Sequence, residues 1–171
     1  FFHSGLNSLI DLVSSNANVV ACVLNNHITA MTGHQQNPGT EINLMGEPNH
    51  MIDLVKLIQA TDIGDERIRV VDPLDFEAIN KALDEAAEVE GPFVIVTNRP
   101  CALLKEVARA NAGKYCEVDT EKCRGCKKCL QIACPAISFV DNKAVIAQDA
   151  CNGCGLCMQM CNFDAIFKVG E

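Results

Sequence analysis

Nowhere in the 171 residues does an apolar run reach the ~18 residues that a membrane-crossing helix needs. The first residues carry neither a basic stretch nor a small-residue cleavage site, so no secretory leader is expected. A surplus of positive charge is missing too. Fourteen Lys and Arg stand against 22 Asp and Glu, a formal net charge of −8, which argues against nucleic acid as the main partner. The composition of a disordered chain is also absent, because charged residues are only 21% and hydrophobic ones 49%, enough to build a core. These absences together predict a soluble, unexported, cytoplasmic protein with no membrane partner. An initial Met is lacking as well: the chain opens on Phe1-Phe2 without cap or tail, and it reads as a piece of a longer protein.

Cysteine, by contrast, is plentiful. Eight of the 11 cysteines fall between Cys123 and Cys161, while Cys22, Cys101 and Cys116 are scattered over the rest. This distribution predicts a small cysteine domain joined to an ordinary one, at a length that allows a domain of about 110 residues plus a small stapled one. A disulfide framework suits secreted mini-domains, and nothing here marks secretion. Structural zinc takes four ligands, usually two CxxC pairs, and would leave the third cysteine of each CxxCxxC triplet spare. Three thiolates at CxxCxxC spacing can instead hold one cube of iron and sulfide, the fourth ligand arriving from a distant cysteine.

The segments "CRGCKKCLQIACP" (123–135) and "CNGCGLCMQMCN" (151–162) closely resemble the two halves of a bacterial two-cluster ferredoxin. In that pattern the cysteine after each triplet serves the other cluster. The resemblance therefore implies two 4Fe-4S clusters, cluster I on Cys123, Cys126, Cys129 and Cys161, and cluster II on Cys151, Cys154, Cys157 and Cys134. Two departures are visible: Cys134 follows its triplet after four residues instead of three, and Asn162 stands where the pattern has proline. Gly125, Gly153 and Gly155 sit between ligands, where the backbone must turn tightly and aim amides at sulfur. "FVDNKAVI" reads as a hairpin with Asp141-Asn142 at its turn.

Upstream, helical and strand patterns alternate. "GLNSLIDLV" (5–13) has one apolar face, and "NVVACVL" (18–24) is a continuous apolar run, expected as a strand covered on both sides, with Cys22 a small buried hydrophobe. A helix is expected around 49–60 and a strand at 68–71. Another helix follows, capped by Asp72 with Pro73 at its first position or, starting later, by Asp75. A strand at 92–97 and a helix ending near Gly113 complete the series. Alternation of this kind predicts a doubly wound parallel α/β sheet with ligands at the carboxyl ends of its strands. The expected domains are 1–113, the α/β domain, and 114–171, a small α+β ferredoxin-like domain.

The loop "LNNHITAMTGHQQNPGTE" (24–41) sits where such a sheet places its ligand. Composition alone leaves open an ordinary surface loop with turn chemistry. The strand ending in Asn-Asn, with "FFHSG" before it and "TAMTGHQ" after it, is similar over most of residues 1–113 to the thiamine-binding half of 2-oxoacid:ferredoxin oxidoreductases. Together with the ferredoxin-like C-terminal part it most resembles the alpha subunit of the indolepyruvate branch. That resemblance implies a thiamine diphosphate site in which Mg2+ is bound by the Asn26 side chain and the Ile28 carbonyl, with Thr32 and Gly33 beside the cofactor. The Gly-Asp half of the thiamine signature is not in this chain, nor is the glutamate that activates the cofactor. The missing N-terminal part of the chain is thus an implied partner, together with a beta subunit and an external ferredoxin, and this chain alone is expected to be inactive.

The reaction implied is a CoA-acylating oxidative decarboxylation of aryl pyruvates, electrons leaving through both clusters. Alternatives are a pyruvate or 2-oxoglutarate relative, and an electron-transfer module without catalysis of its own. His3 and His34 flank the loop as weak catalytic candidates; His27 and His50 are expected to face solvent or cap, Met31 to make a soft contact under the cofactor, and Cys101 and Cys116 to pack.

Overall fold

The computed structural model describes residues 1–170 and divides into two compact units, Phe1–Leu104 and a second from Lys105 onward. In the first, α1 (Gly5–Ser14) leads into β1 (Val20–Asn25), α2 (Leu54–Gln59), β2 (Ile68–Val71), α3 (Phe76–Ala87) and β3 (Phe93–Asn98). The strands form a parallel sheet of order β1-β3-β2, in register Val23↔Val96↔Val70. From β1 the chain moves two places along the sheet to β2, then returns one place to β3. Right-handed crossovers in opposite directions put their helices on opposite faces. The cores agree. Leu9 of α1 and Leu54 and Ile58 of α2 pack with Val23, Val94 and Val96 on one face, while Ala82 and Ala86 of α3 pack with Val71, Phe93 and Ile95 on the other.

Central β3 is buried from Phe93 through Val96, each such side chain contributing roughly 1.5–3 kcal/mol. β1 departs from the expectation of a strand covered on both sides. Its burial alternates, with Val20 39% and Leu24 75% exposed and Cys22 exposed between them. Cys22 is therefore not a core residue: it faces the side of α3, whose apolar residues reach β2 and β3 only.

Caps set the helix starts. Asp53 accepts from the amides of Val55 (2.9 Å) and Lys56 (3.1 Å), so α2 begins after it and is shorter than the sequence pattern. Of the two starts open to α3 the later one is found, with Asp75 accepting from Ala78 N at 3.0 Å, while Asp72 closes the preceding turn on Leu74 N. No helix among the described residues is long and apolar enough to cross a membrane.

The second unit begins with α4 (Lys105–Ala110), which has no buried residue, nine residues before the boundary expected after 113. There follow β4 (Tyr115–Val118), a 3-10 turn (Lys128–Ile132), the hairpin β5 (Ile137–Val140) and β6 (Lys143–Ile146), α5 (Leu156–Gln159) and β7 (Ile166–Val169). Asp141 and Asn142 both take positive φ at the hairpin turn, as a two-residue turn of this hand requires. β4 pairs antiparallel with β7, Cys116 opposite Lys168. Of the seven buried residues of this core four are cysteines, Cys116, Cys123, Cys129 and Cys157. So small an apolar core supplies little stability by itself, and units of this size are commonly reinforced by a metal or covalent link.

Candidate cluster and cofactor sites

Cys123 and Cys126 lie in the irregular stretch after β4, Cys129 on the 3-10 turn, and Cys161 between α5 and β7. All four line one small cavity of roughly 20 Å³, walled by Phe139, Ala144 and Ile166. The set expected for cluster I is thus brought together across a wide separation in sequence. Gly125 makes the loop possible: at φ +68 it passes under the Asn142 carbonyl, where a Cβ has no room. Cys123 and Cys129 are buried and Cys126 is exposed.

Electrostatics differ among these thiols. The amide of Ala144, then that of Gly125 and the Lys143 ammonium, hold the Cys123 thiol below its ordinary pKa against the effect of burial. Lys143 Nζ also donates to the Cys123 carbonyl at 2.6 Å. Burial pushes Cys129 up, and the thiols of Cys123, Cys126 and Cys161 add to the rise. The Ala165 amide donates to Cys161 Sγ at 3.4 Å.

In the second triplet Cys151 Sγ accepts from the amides of Cys116 (3.3 Å) and Gly153 (3.5 Å), and buried Cys157 sits on α5. Burial, followed by the neighbouring thiols of Cys116, Cys154 and Cys151, pushes Cys157 up to about 12. Its neighbour Cys116 is 1% exposed, hydrogen-bonds to the Cys157 thiol, and is itself pushed up chiefly by burial. Packing was the expectation for Cys116, and it does pack, but against the triplet. Cys134 is half-buried after a left-handed Ala133 (φ 51), its carbonyl accepting from Ile137 N at 3.1 Å. Among the described residues no hydrogen bond joins its thiol to the triplet.

The donor set fits iron and sulfide. Crowded thiols that resist ionisation together are relieved by a positively charged core, and the amides aimed at Cys123, Cys151 and Cys161 stabilise bound thiolates. Among the described residues no three His, Cys, Asp or Glu close on a single metal ion. In a cubane each thiolate meets a different iron, so such convergence is not required.

In the first unit a cleft at the carboxyl ends of the strands is lined by Phe2, Asn25, His27, Asp53 and Asn98 among others. Asn25 and Asn98 are register partners on β1 and β3. Asn25 Nδ2 donates to Asn98 Oδ1 at 3.0 Å, and His27 Nε2 lies 2.7 Å from the same oxygen. His27 thus does more than face solvent, a role invisible without the register.

Asn26 Oδ1 accepts from Ile28 N at 3.3 Å, bringing those two residues together, and the Asn26 carbonyl accepts from Cys101 N at 2.9 Å. Ile28 is 5% exposed. Thr32 and Gly33 lie at the tip of a tight turn closed by Thr29 pairing with Gln35, where the Thr32 hydroxyl bonds the Gln35 side chain. His3, His34 and His50 are exposed, and Met31, at 102% exposure, rests on nothing in this chain. The loop is ordered beyond turn chemistry: the hydroxyl of buried Thr40 lies 2.7 and 2.9 Å from the carbonyl oxygens of Asn37 and Ile42, which share its one hydrogen.

Residues 1–97 match the family model described as thiamine pyrophosphate enzyme, C-terminal TPP binding domain, and residues 115–162 match that of a 4Fe-4S dicluster domain. Among curated relatives, the indolepyruvate oxidoreductase subunit IorA of Pyrococcus abyssi (strain GE5 / Orsay) is 41% identical, that of Thermococcus kodakarensis 38% and that of Methanothermobacter marburgensis 34%, each over 100% of this chain. The chain spans 27% of the length of each of these relatives.

Proposed function

The chain belongs to the thiamine pyrophosphate enzymes through the C-terminal TPP-binding domain of its residues 1–97, and from this premise we propose that it is part of a CoA-acylating 2-oxoacid:ferredoxin oxidoreductase acting on indolepyruvate and other aryl pyruvates. Thiamine diphosphate, when bound, supplies the electron sink that lets a 2-oxoacid lose CO2. The residues of this chain hold and orient it. The Asn26 side-chain oxygen and the Ile28 carbonyl offer the hard oxygen ligands that Mg2+ prefers, the diphosphate and a carboxylate from elsewhere completing the set. Thr32 and Gly33 would stand beside the bound cofactor. The Asn25, His27 and Asn98 network keeps the Asn-Asn corner fixed at the ends of β1 and β3.

Cys123, Cys126, Cys129 and Cys161 carry one cluster. Cys151, Cys154, Cys157 and Cys134 carry the other, in the crossed arrangement of two-cluster ferredoxins. Oxidising a 2-oxoacid releases two electrons, and two one-electron carriers on the same chain suit that stoichiometry. The rest of the chain, a beta subunit and an external ferredoxin complete the system, with coenzyme A taking the acyl group, in the cytoplasm. The observation that carries the reading is the cavity shared by Cys123, Cys126, Cys129 and Cys161 in a chain that also belongs to the thiamine enzymes.

The test is an anaerobic substrate panel on the full-length complex with coenzyme A, following reduction of a viologen dye. Indolepyruvate should be turned over with higher kcat/KM than pyruvate or 2-oxoglutarate. Preference for either of the latter refutes the substrate assignment, and a complex that retains no thiamine diphosphate refutes the enzyme reading.

A further inference from the structure

The two cysteine triplets differ in what they show to solvent. Cys151 and Cys154 are half-buried and Cys157 is buried, whereas Cys126 in the first triplet is exposed. Around Cys126 stand Lys122, Arg124, Lys127 and Lys128, four cations within seven residues of a chain whose net charge is −8. Arg124 and Lys127 are exposed and line the mouth of the same cavity as Cys126.

Three of these cations, Lys122, Lys127 and Lys128, are held in place. Lys127 Nζ lies 4.8 Å above the Phe139 ring, a contact that fixes the ammonium at the rim. Lys128 Nζ donates to Asn162 Oδ1 at 2.9 Å, tying the first triplet to the residue after Cys161. Lys122 faces Asp119 at 3.7 Å. Between Cys151 and Cys157 there is no charged residue; the cations near that loop, Lys114 and Lys168, come from other segments and pack against Gly153 and Gly155.

We infer that the rim formed by Arg124 and Lys127 around Cys126 is the docking surface for an acidic electron carrier of the ferredoxin class. The inference rests on the reading of this chain as an electron donor through clusters. Three features join at this rim: a ligand thiol at the surface, fixed positive charge around it, and an acidic molecule elsewhere. An acidic carrier is repelled by the rest of the chain and drawn to this patch, which steers its encounter and sets its orientation. One electron passes from the reduced cluster to the oxidised carrier. The cluster is oxidised by one unit, the carrier is reduced by one, and no bond or proton changes hands. An exposed thiol ligand shortens that path. The same positive rim discriminates against a basic carrier such as cytochrome c.

The experiment uses the full-length protein and a bacterial two-cluster ferredoxin of negative net charge as probe. Binding to the oxidised ferredoxin is measured by calorimetry between low and high salt, and electron transfer by stopped flow after photoreduction of the protein, so that no 2-oxoacid is needed. Wild type should bind at least about tenfold more tightly at low salt than at high salt. The variant Arg124→Glu with Lys127→Glu should bind about tenfold more weakly at low salt, lose that salt dependence, and transfer electrons more slowly in proportion. Iron and sulfide content are measured alongside. Where the reversal lowers them, Arg124→Gln with Lys127→Gln takes its place, with a smaller loss of the same sign. Unchanged ferredoxin binding in a variant of full iron content overturns the inference, as does tighter binding of cytochrome c than of ferredoxin by wild type. Failure to turn over indolepyruvate, with ferredoxin binding as expected, refutes only the substrate reading.

Discussion

Replacing Gly125 by alanine probes the loop that carries the first triplet, and Gly113 of the same unit is its internal control. Both glycines hold positive φ, +68 and +78, where an alanine costs roughly 1 kcal/mol. At Gly113 nothing lies within 4 Å of the added Cβ, so that conformational term is the whole cost. At Gly125 the Cβ falls inside contact distance of the Asn142 carbonyl oxygen, with the carbonyl carbon at 3.4 Å and Phe139 Cζ at 3.6 Å. Asn142 is itself at positive φ in the turn between β5 and β6 and cannot retreat without disturbing the hairpin. Overpacking of this kind adds roughly 2 kcal/mol.

For a unit of this size about 6 °C of melting temperature corresponds to 1 kcal/mol. Gly113→Ala should therefore lower the apparent melting temperature by about 6 °C and Gly125→Ala by about 18 °C. Visible absorption of the clusters during anaerobic heating reads both. Only Gly125→Ala should also lose iron, because the Gly125 amide and the positions of Cys123 and Cys126 move with the loop. A Gly125→Ala protein that melts with Gly113→Ala and keeps its iron refutes the role given to that turn.

Asn26→Ala in the full-length protein should weaken retention of Mg2+ and thiamine diphosphate while leaving iron content unchanged, as equilibrium dialysis and iron assay will show; wild-type cofactor affinity removes Asn26 from the Mg2+ site. Cys116→Ala should keep the full iron content yet lower the potential of one cluster by about 20–65 mV in a spectroscopic redox titration, the loss of one S–H donor worth roughly 0.5–1.5 kcal/mol to the Cys157 sulfur. Cys116→Ser, which retains a donor, should recover most of that shift, and an unmoved potential in the alanine variant confines Cys116 to packing. Asp53→Ala should destabilise the first unit by about 1 kcal/mol through loss of two capping bonds, measured by urea denaturation, with iron content unaffected; a neutral effect shows that water replaces the cap.

What could be read from the sequence was local. The CxxCxxC spacings, the turn at Asp141-Asn142, the buried run of β3 and the alternation of helix and strand each depend on neighbours a few residues apart. Joining Cys161 to the first triplet needed the resemblance to ferredoxins, since no periodicity links positions so far apart. Non-local pairing hid the rest. Val20, Cys22 and Leu24 form a run as apolar as that of β3, but β1 lies at one margin of the strand order and α3 does not reach it, so one face stays exposed. The β4–β7 pair was missed because each strand is four residues long and its partner lies across the whole cysteine region. The Asn25, His27 and Asn98 network depends on the register of two strands, and the placement of Cys116 beside Cys157 follows from how β4 packs; neither leaves a mark in the spacing of residues.

Iron and acid-labile sulfide per chain, counted together on anaerobically purified protein, test the central claim most directly. Eight thiols at these positions predict about eight iron and about eight sulfide, the content of two cubanes. Zinc without sulfide, or about four of each, contradicts the account.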